Sequence, residues 1–245
     1  MVAFDSPLFW MLAISGVLLT GISKSGFAGG AGVVAVPLLS IVLPVQHAAA
    51  IMLPLLLVMD AKTVRLYWQS INLRELKSII LAALVGITLA GSAMGSLSST
   101  TLQWALAIFC ILFASWQQLT PFLGKLPGAA YIWGTLSGIS STLLHAGGPP
   151  ISIYFLSKSI SKKVWLAQAA VFFAIINVVK LIPYSMNNVW HMDFLVLDLI
   201  LLPIAIIGVF LGHKIQEYLS EATFILSCRV LLGITGIVLL LKIVI

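Results

Sequence analysis

The chain has 245 residues, of which 61% are hydrophobic and only 8% charged, with a formal net charge of +6. Soluble domains carry about 25% charged residues, so there is too little polar surface here for a water-soluble fold. The basic excess lies in short loops between apolar runs, which points to orientation in a membrane and not to nucleic acid.

The runs are about 20 residues long and none shows ten-residue alternation, which predicts membrane helices and not a β-barrel. The opening Met1–Pro7 has no basic residue, unlike a secretory signal. Leu8–Leu19 and Val33–Leu43 are apolar, and between them lies Gly21-Ile22-Ser23-Lys24-Ser25-Gly26-Phe27-Ala28-Gly29-Gly30-Ala31-Gly32. Glycine weakens a helix by about 1 kcal/mol relative to alanine, so this stretch predicts a broken helix. Broken backbone inside a bilayer is tolerated only where it is buried in protein or lines a cavity, so the break predicts a cavity. A half-helix beginning at Val33 would aim its free N–H groups and positive dipole end there, which suits an anion.

His47–Tyr67, with Pro54 inside it, reads as a span. Leu76–Leu97 and Thr101–Leu119 follow, joined by the turn Ser98-Ser99-Thr100. Residues 120–128 read as a linker between an N-terminal repeat, 1–119, and a C-terminal repeat, 129–245. In the second half, Ala129–Leu144 and Pro150–Leu156 flank the stretch Gly138 to Pro150, which repeats the Gly-Ile-Ser and Ala-Gly-Gly of the first break. Val164–Tyr184, Phe194–Gly212 and Ala222–Ile245 complete the chain.

Gly21, Gly91 and Gly95 match Gly138, Gly208 and Gly212 at a common offset of 117, which also sets Asp60 opposite Asn177. The shared offset points to an internal duplication. Cytoplasmic loops are enriched in Lys and Arg. Lys62, Arg65, Arg74 and Lys77 therefore place the first basic loop inside, and Lys158, Lys162 and Lys163 place the loop after the second break inside as well. The loop near Asn72 is then inside and its partner near Val189 outside, so the halves are inverted. The expected fold is an all-α integral membrane protein, a polytopic helical bundle of two inverted repeats, each with a broken or re-entrant helix pair followed by three spans. A parallel repeat of eight simple spans is the competing reading.

Lys24 is the only fixed charge in either break. A lysine in a membrane interior usually faces a cavity, so it is read as the partner of an anionic substrate, with snorkelling to an interface as the alternative. His145, in the second break, can bind an oxyanion or move a proton, or can merely hydrogen-bond broken backbone. Ser23, Ser25, Ser140, Ser141 and Thr142 supply hydroxyl donors. Asp60, Asn177 and Asp198 are candidate coupling residues. Helix-to-helix hydrogen bonds or interface anchoring explain Asp60, Asn177, Lys180 and Gln168 better than ligand roles do, with Lys62 as Asp60's partner, and Asp198 has the alternative of snorkelling outward. Cys110 and Cys228 read as packed, unpaired thiols. No HExxH, GxGD or Cys/His metal spacing occurs and nothing resembles an ATP-binding loop, so no cofactor and no ATPase is expected.

The Gly21–Pro37 stretch, its echo at Gly138–Pro150, the length and the two-half layout resemble the sulfite exporter TauE/SafE family of membrane transporters. The resemblance implies a transporter of sulfite, a sulfonate or another small organosulfur anion in the bacterial inner membrane. It also implies that Gly26, Gly29, Gly30, Gly32 and Pro37 shape one half-site and Gly147, Gly148 and Pro149 the other. The expected partners are the anion and the lipid bilayer, and the sequence leaves open proton coupling and a homo-oligomer. An intramembrane enzyme and a scaffold subunit are the rival functions.

Overall fold

A computed structural model describes residues 6–27, 34–115, 123–156, 158, 160–216, 218 and 220–244. Ten α-helices are described, five in each half. They are α1 (Pro7–Gly26), α2 (Ala35–Ser40), α3 (Val45–Tyr67), α4 (Leu73–Met94) and α5 (Ser99–Ser115), then α6 (Ala129–Leu144), α7 (Gly148–Leu156), α8 (Lys162–Met186), α9 (Met192–Ile215) and α10 (Glu221–Val244). No strand occurs among the described residues.

Local chemistry sets several ends. Pro7 occupies the first turn of α1, where its missing N–H is harmless. The Asn72 side chain accepts from the Arg74 N–H and caps α4, and Ser161 caps α8 through the Val164 N–H. Four helices are long and apolar enough to cross a membrane among the described residues: Pro7–Gly26, Leu76–Met94, Lys163–Met186 and Met192–Ile215. Leu81, Val85 and Leu89 on α4, and Leu199 and Phe210 on α9, lie exposed. An apolar surface of this kind belongs in lipid, and the chain is a polytopic helical membrane protein.

The closest packing crosses between the halves of the chain. α1 lies along α9, and α4 lies along α6. Glycine makes both contacts possible. A Cβ on Gly21 would stand 2.9 Å from the Gly208 Cα, and one on Gly26 would stand 2.6 Å from the Gly212 carbonyl oxygen. On the other side, a Cβ on Gly138 would stand 2.2 Å from the Ala83 carbonyl oxygen. Small residues let membrane helices approach to backbone contact in this way. α3 packs on α8, and the two run antiparallel. Tyr184, near the end of α8, clusters with Ala49 and Leu53 near the start of α3, while Lys163 at the start of α8 shares a cavity with Arg65 and Tyr67 at the end of α3.

The helices run further into the glycine-rich stretches than the glycine content predicts. α1 continues through Ser23, Lys24 and Ser25 to Gly26, and α6 continues through Ser140, Ser141 and Thr142 to Leu144. Packing against α9 and α4 outweighs the small propensity loss at each glycine. The second interruption is His145-Ala146-Gly147, and α2 starts at Ala35 instead of Val33. Gly29, Gly30 and Gly32, expected in the first break, lie outside the described residues.

Candidate functional site

Two hydrophobic clusters make up most of the core. One joins α1, α2, most of α3, α5, α9 and α10, with Leu144 and Ala146 at the end of α6, and the other joins α4, the rest of α6, α7 and α8, with Tyr67 at the end of α3. Polar side chains gather where the two meet.

Lys24 is helical, 8% exposed, and its ammonium pairs with the Asp60 carboxylate on α3. Asp60 therefore pairs with Lys24 and not with Lys62. The other carboxylate oxygen of Asp60 accepts from Asn177 Nδ2 on α8 at 2.6 Å. The two residues matched by the 117 offset thus touch. The Lys24 ammonium also lies 5.2 Å from the centre of the Phe173 ring.

Asp60 lies seven residues before the end of α3 at Tyr67, and Asn177 nine before the end of α8 at Met186. At 1.5 Å per residue these are about 10 and 14 Å. Because α3 and α8 are antiparallel, these ends lie on opposite sides of the helix pair, and the Asp60–Asn177 contact lies between them.

Lys180, also on α8, is fully buried. Its Nζ donates to the Ser141 carbonyl at 3.0 Å, to Ser141 Oγ at 3.0 Å and to His145 Nδ1 at 2.7 Å. With Nδ1 accepting, the His145 proton is on Nε2, which donates to the Ala49 carbonyl at 2.8 Å. His145 has φ 50°, the left-handed conformation that ends α6. That conformation usually falls to glycine, and the ring contacts offset the strain.

Lys24, Ser141, His145, Gly148 and Asn177 line a cavity of about 20 Å³, with Leu56 and Phe173 as its apolar walls. The space suits roughly one water molecule. Lys24 and Leu56 come from the first cluster's helices and the other lining residues from the second's.

The remaining hydroxyls point elsewhere. Ser25 Oγ donates to the Val209 carbonyl at 2.7 Å, Thr142 Oγ1 to the Gly138 carbonyl at 2.8 Å, and Ser140 Oγ to the Leu136 and Ala146 carbonyls at 2.8 and 3.0 Å. Ser23 Oγ is buried with no hydrogen-bond partner among the described residues. Gly147 is tightly enclosed, since a Cβ there would meet the Ser141 Cβ at 2.8 Å. Asp198 is buried on α9 beside Phe194 and Leu201, away from the cavity, and its carboxylate has no hydrogen-bond partner among the described residues.

The start of α7 offers fewer amide donors than a helix end usually does. Pro149 and Pro150 have no N–H, and the Ile151 N–H bonds to the Gly147 carbonyl. That bond is the first regular one of the helix, so of the four N–H positions a helix start leaves open, 147–150, those of Gly147 and Gly148 remain among the described residues. The positive character of this side of the cavity comes mainly from Lys180 and Lys24.

Sequence reasoning assigned Lys180 to helix packing and passed over Tyr67 and Tyr184. Tyr67 donates to the Ser25 carbonyl at 2.6 Å, and Tyr184 to the Thr142 carbonyl at 2.8 Å. Both donors and both acceptors are 117 residues apart, so the repeat offset was the signal that could have found them.

Neither the curated proteins nor the solved structures compared with this chain contain a significant match. One family does match: that of the sulfite exporter TauE/SafE, over residues 12–239. That match covers nearly the whole chain, both interruptions and every residue around the cavity, and the chain belongs to the TauE/SafE sulfite exporter family of membrane transporters.

Proposed function

We propose that this chain is a secondary transporter that carries a small sulfur-containing anion, such as sulfite or a sulfonate, across the bacterial inner membrane by alternating access. The observation that carries the reading is the pair of buried lysines, Lys24 and Lys180, on different helices, Lys24 lining the cavity and Lys180 bonded to its lining residues Ser141 and His145. Ionisable groups inside membrane proteins usually mark an ion path. Two ammonium groups, the Ser141 hydroxyl and the Gly148 end of α7 suit the several acceptor oxygens of a sulfur oxyanion. Family membership supports sulfur chemistry.

Inverted repeats are supported by three features. The offset-matched helices α3 and α8 run antiparallel, the first helix of each half packs on the fourth helix of the other, and the tyrosine bonds repeat at the same offset. The rocking bodies are then the two hydrophobic clusters, which exchange α4 and α9, and not the halves 1–119 and 129–245. Among the described residues, Asp60–Asn177 joins α3 to α8 and His145–Ala49 joins α3 to the end of α6. The cavity in this structure, about 20 Å³, is smaller than the anion.

The test is uptake of radiolabelled sulfite and isethionate into liposomes containing the purified protein. Saturable uptake is expected, with its loss in the Lys24→Ala/Lys180→Ala double variant. Absence of saturable flux for both anions would overturn the reading in favour of a scaffold role.

A further inference from the structure

The next step rests on the transport reading. The cavity beside Lys24 has room for about one water, and a sulfite or sulfonate group is larger. The Lys24 ammonium is already held by the carboxylate of Asp60. An incoming anion reaches Lys24 only by taking that carboxylate's place. We propose that Asp60 is the protein's own stand-in for the substrate anion, and that it takes up one proton whenever the anion displaces it from Lys24, so that one proton travels with each anion.

The surroundings of Asp60 supply the reason. Lys24 faces it from α1, Asn177 and Lys180 stand on α8, and His145 lies beyond Lys180. Asn177 carries no charge. Lys180 has all three of its N–H groups committed, to the Ser141 carbonyl, Ser141 Oγ and His145 Nδ1. It replaces Lys24 as the partner of Asp60 only by giving those bonds up. The His145 Nε2–H is likewise held by Ala49. A displaced Asp60 carboxylate would stand without a cation in an apolar bundle. Such a group neutralises instead of remaining charged.

Asn177 suits both states of its partner. Its Nδ2 donates to the carboxylate now, while its Oδ1 is buried with no hydrogen-bond partner among the described residues. Rotation of the amide turns Oδ1 into the acceptor for an Asp60 carboxylic acid O–H. The offset mate of Asp60 is this neutral amide, so the matched pair provides one proton site and not two.

The balance closes. A proton from the side of entry forms the O–H bond at Asp60 as the Lys24–Asp60 pair opens. On the other side the anion leaves, that O–H bond breaks, and the pair re-forms. No electrons move. Without the anion, Lys24 and Asp60 together carry no net charge. With a bound monoanion, Lys24 and a protonated Asp60 also sum to zero, so translocation is electroneutral.

The experiment uses purified full-length protein with two probes, isethionate and sulfite. Calorimetric titration in two buffers of different ionisation heat counts protons, with sulfite corrected for its own protonation. The expected result is about one proton taken up per anion bound near neutral pH. In liposomes, one pH unit across the membrane should concentrate the carried anion about tenfold in the wild type and not in Asp60→Asn. The flux of the variant should instead follow membrane potential. Anion binding by the wild type without proton uptake overturns the proposal and leaves the transport reading standing. Failure of both probes to bind or move overturns both. The wild-type proton count needs no variant, so it decides even if Asp60→Asn misfolds.

Discussion

His145 carries the most direct prediction about the conformational cycle. Its Nε2 donates to the Ala49 carbonyl at 2.8 Å and so ties the end of α6 to the first turns of α3. Removing that bond should ease their separation on the side where α3 begins, which loop charges place outside. His145→Asn is the variant of choice, because asparagine tolerates the left-handed backbone at φ 50° but is too short to keep the ring's reach. As a carbonyl inside α3, that of Ala49 already accepts from the residue four ahead, so the variant strands no acceptor there. The effect is then that of one ordinary hydrogen bond, about 0.5–1.5 kcal/mol. That shifts the open-to-closed ratio by about two- to tenfold. The reporter is Leu56→Cys on the cavity wall, in a background lacking Cys110 and Cys228, labelled with an impermeant maleimide. Labelling from outside should quicken by this factor while labelling from inside does not. An unchanged rate, or faster labelling from inside alone, would refute the assignment of His145 as an outer latch.

Two further outcomes test the framework. Lys24→Ala should lower stability, by less than the roughly 3–5 kcal/mol of a stranded buried charge, because Asp60 left without its cation takes up a proton. Adding Asp60→Asn should recover most of that loss in thermal denaturation while anion flux stays low. Gly138→Val should separate α6 from α4, since even its Cβ would meet the Ala83 carbonyl oxygen at 2.2 Å. A loss of at least 1–3 kcal/mol is expected, read as a lowered melting temperature in detergent. Gly233→Ala, whose Cβ would meet only the Ala114 Cβ at 3.5 Å, should be nearly neutral.

Much of this architecture is written in local properties. An 8% charged composition and apolar runs of membrane length decide the solvent and the helical class, because hydropathy belongs to each residue wherever it lies. The recurrence of glycine at an offset of 117 marked the contacts that became Gly21 against Gly208 and Gly138 against Ala83, because only glycine permits that approach. Lys24 and His145 stood out because a charge or an imidazole within an apolar stretch is rare whatever surrounds it. Tertiary structure alone decided the pairing. Lys24 meets Asp60, Asp60 meets Asn177, and Lys180 meets His145 because of which helix faces turn toward one another, and hydropathy along the chain does not encode that. Where the helices end was also decided in three dimensions. α1 and α6 run on through their serines because contact with α9 and α4 is worth more than the propensity that each glycine gives up.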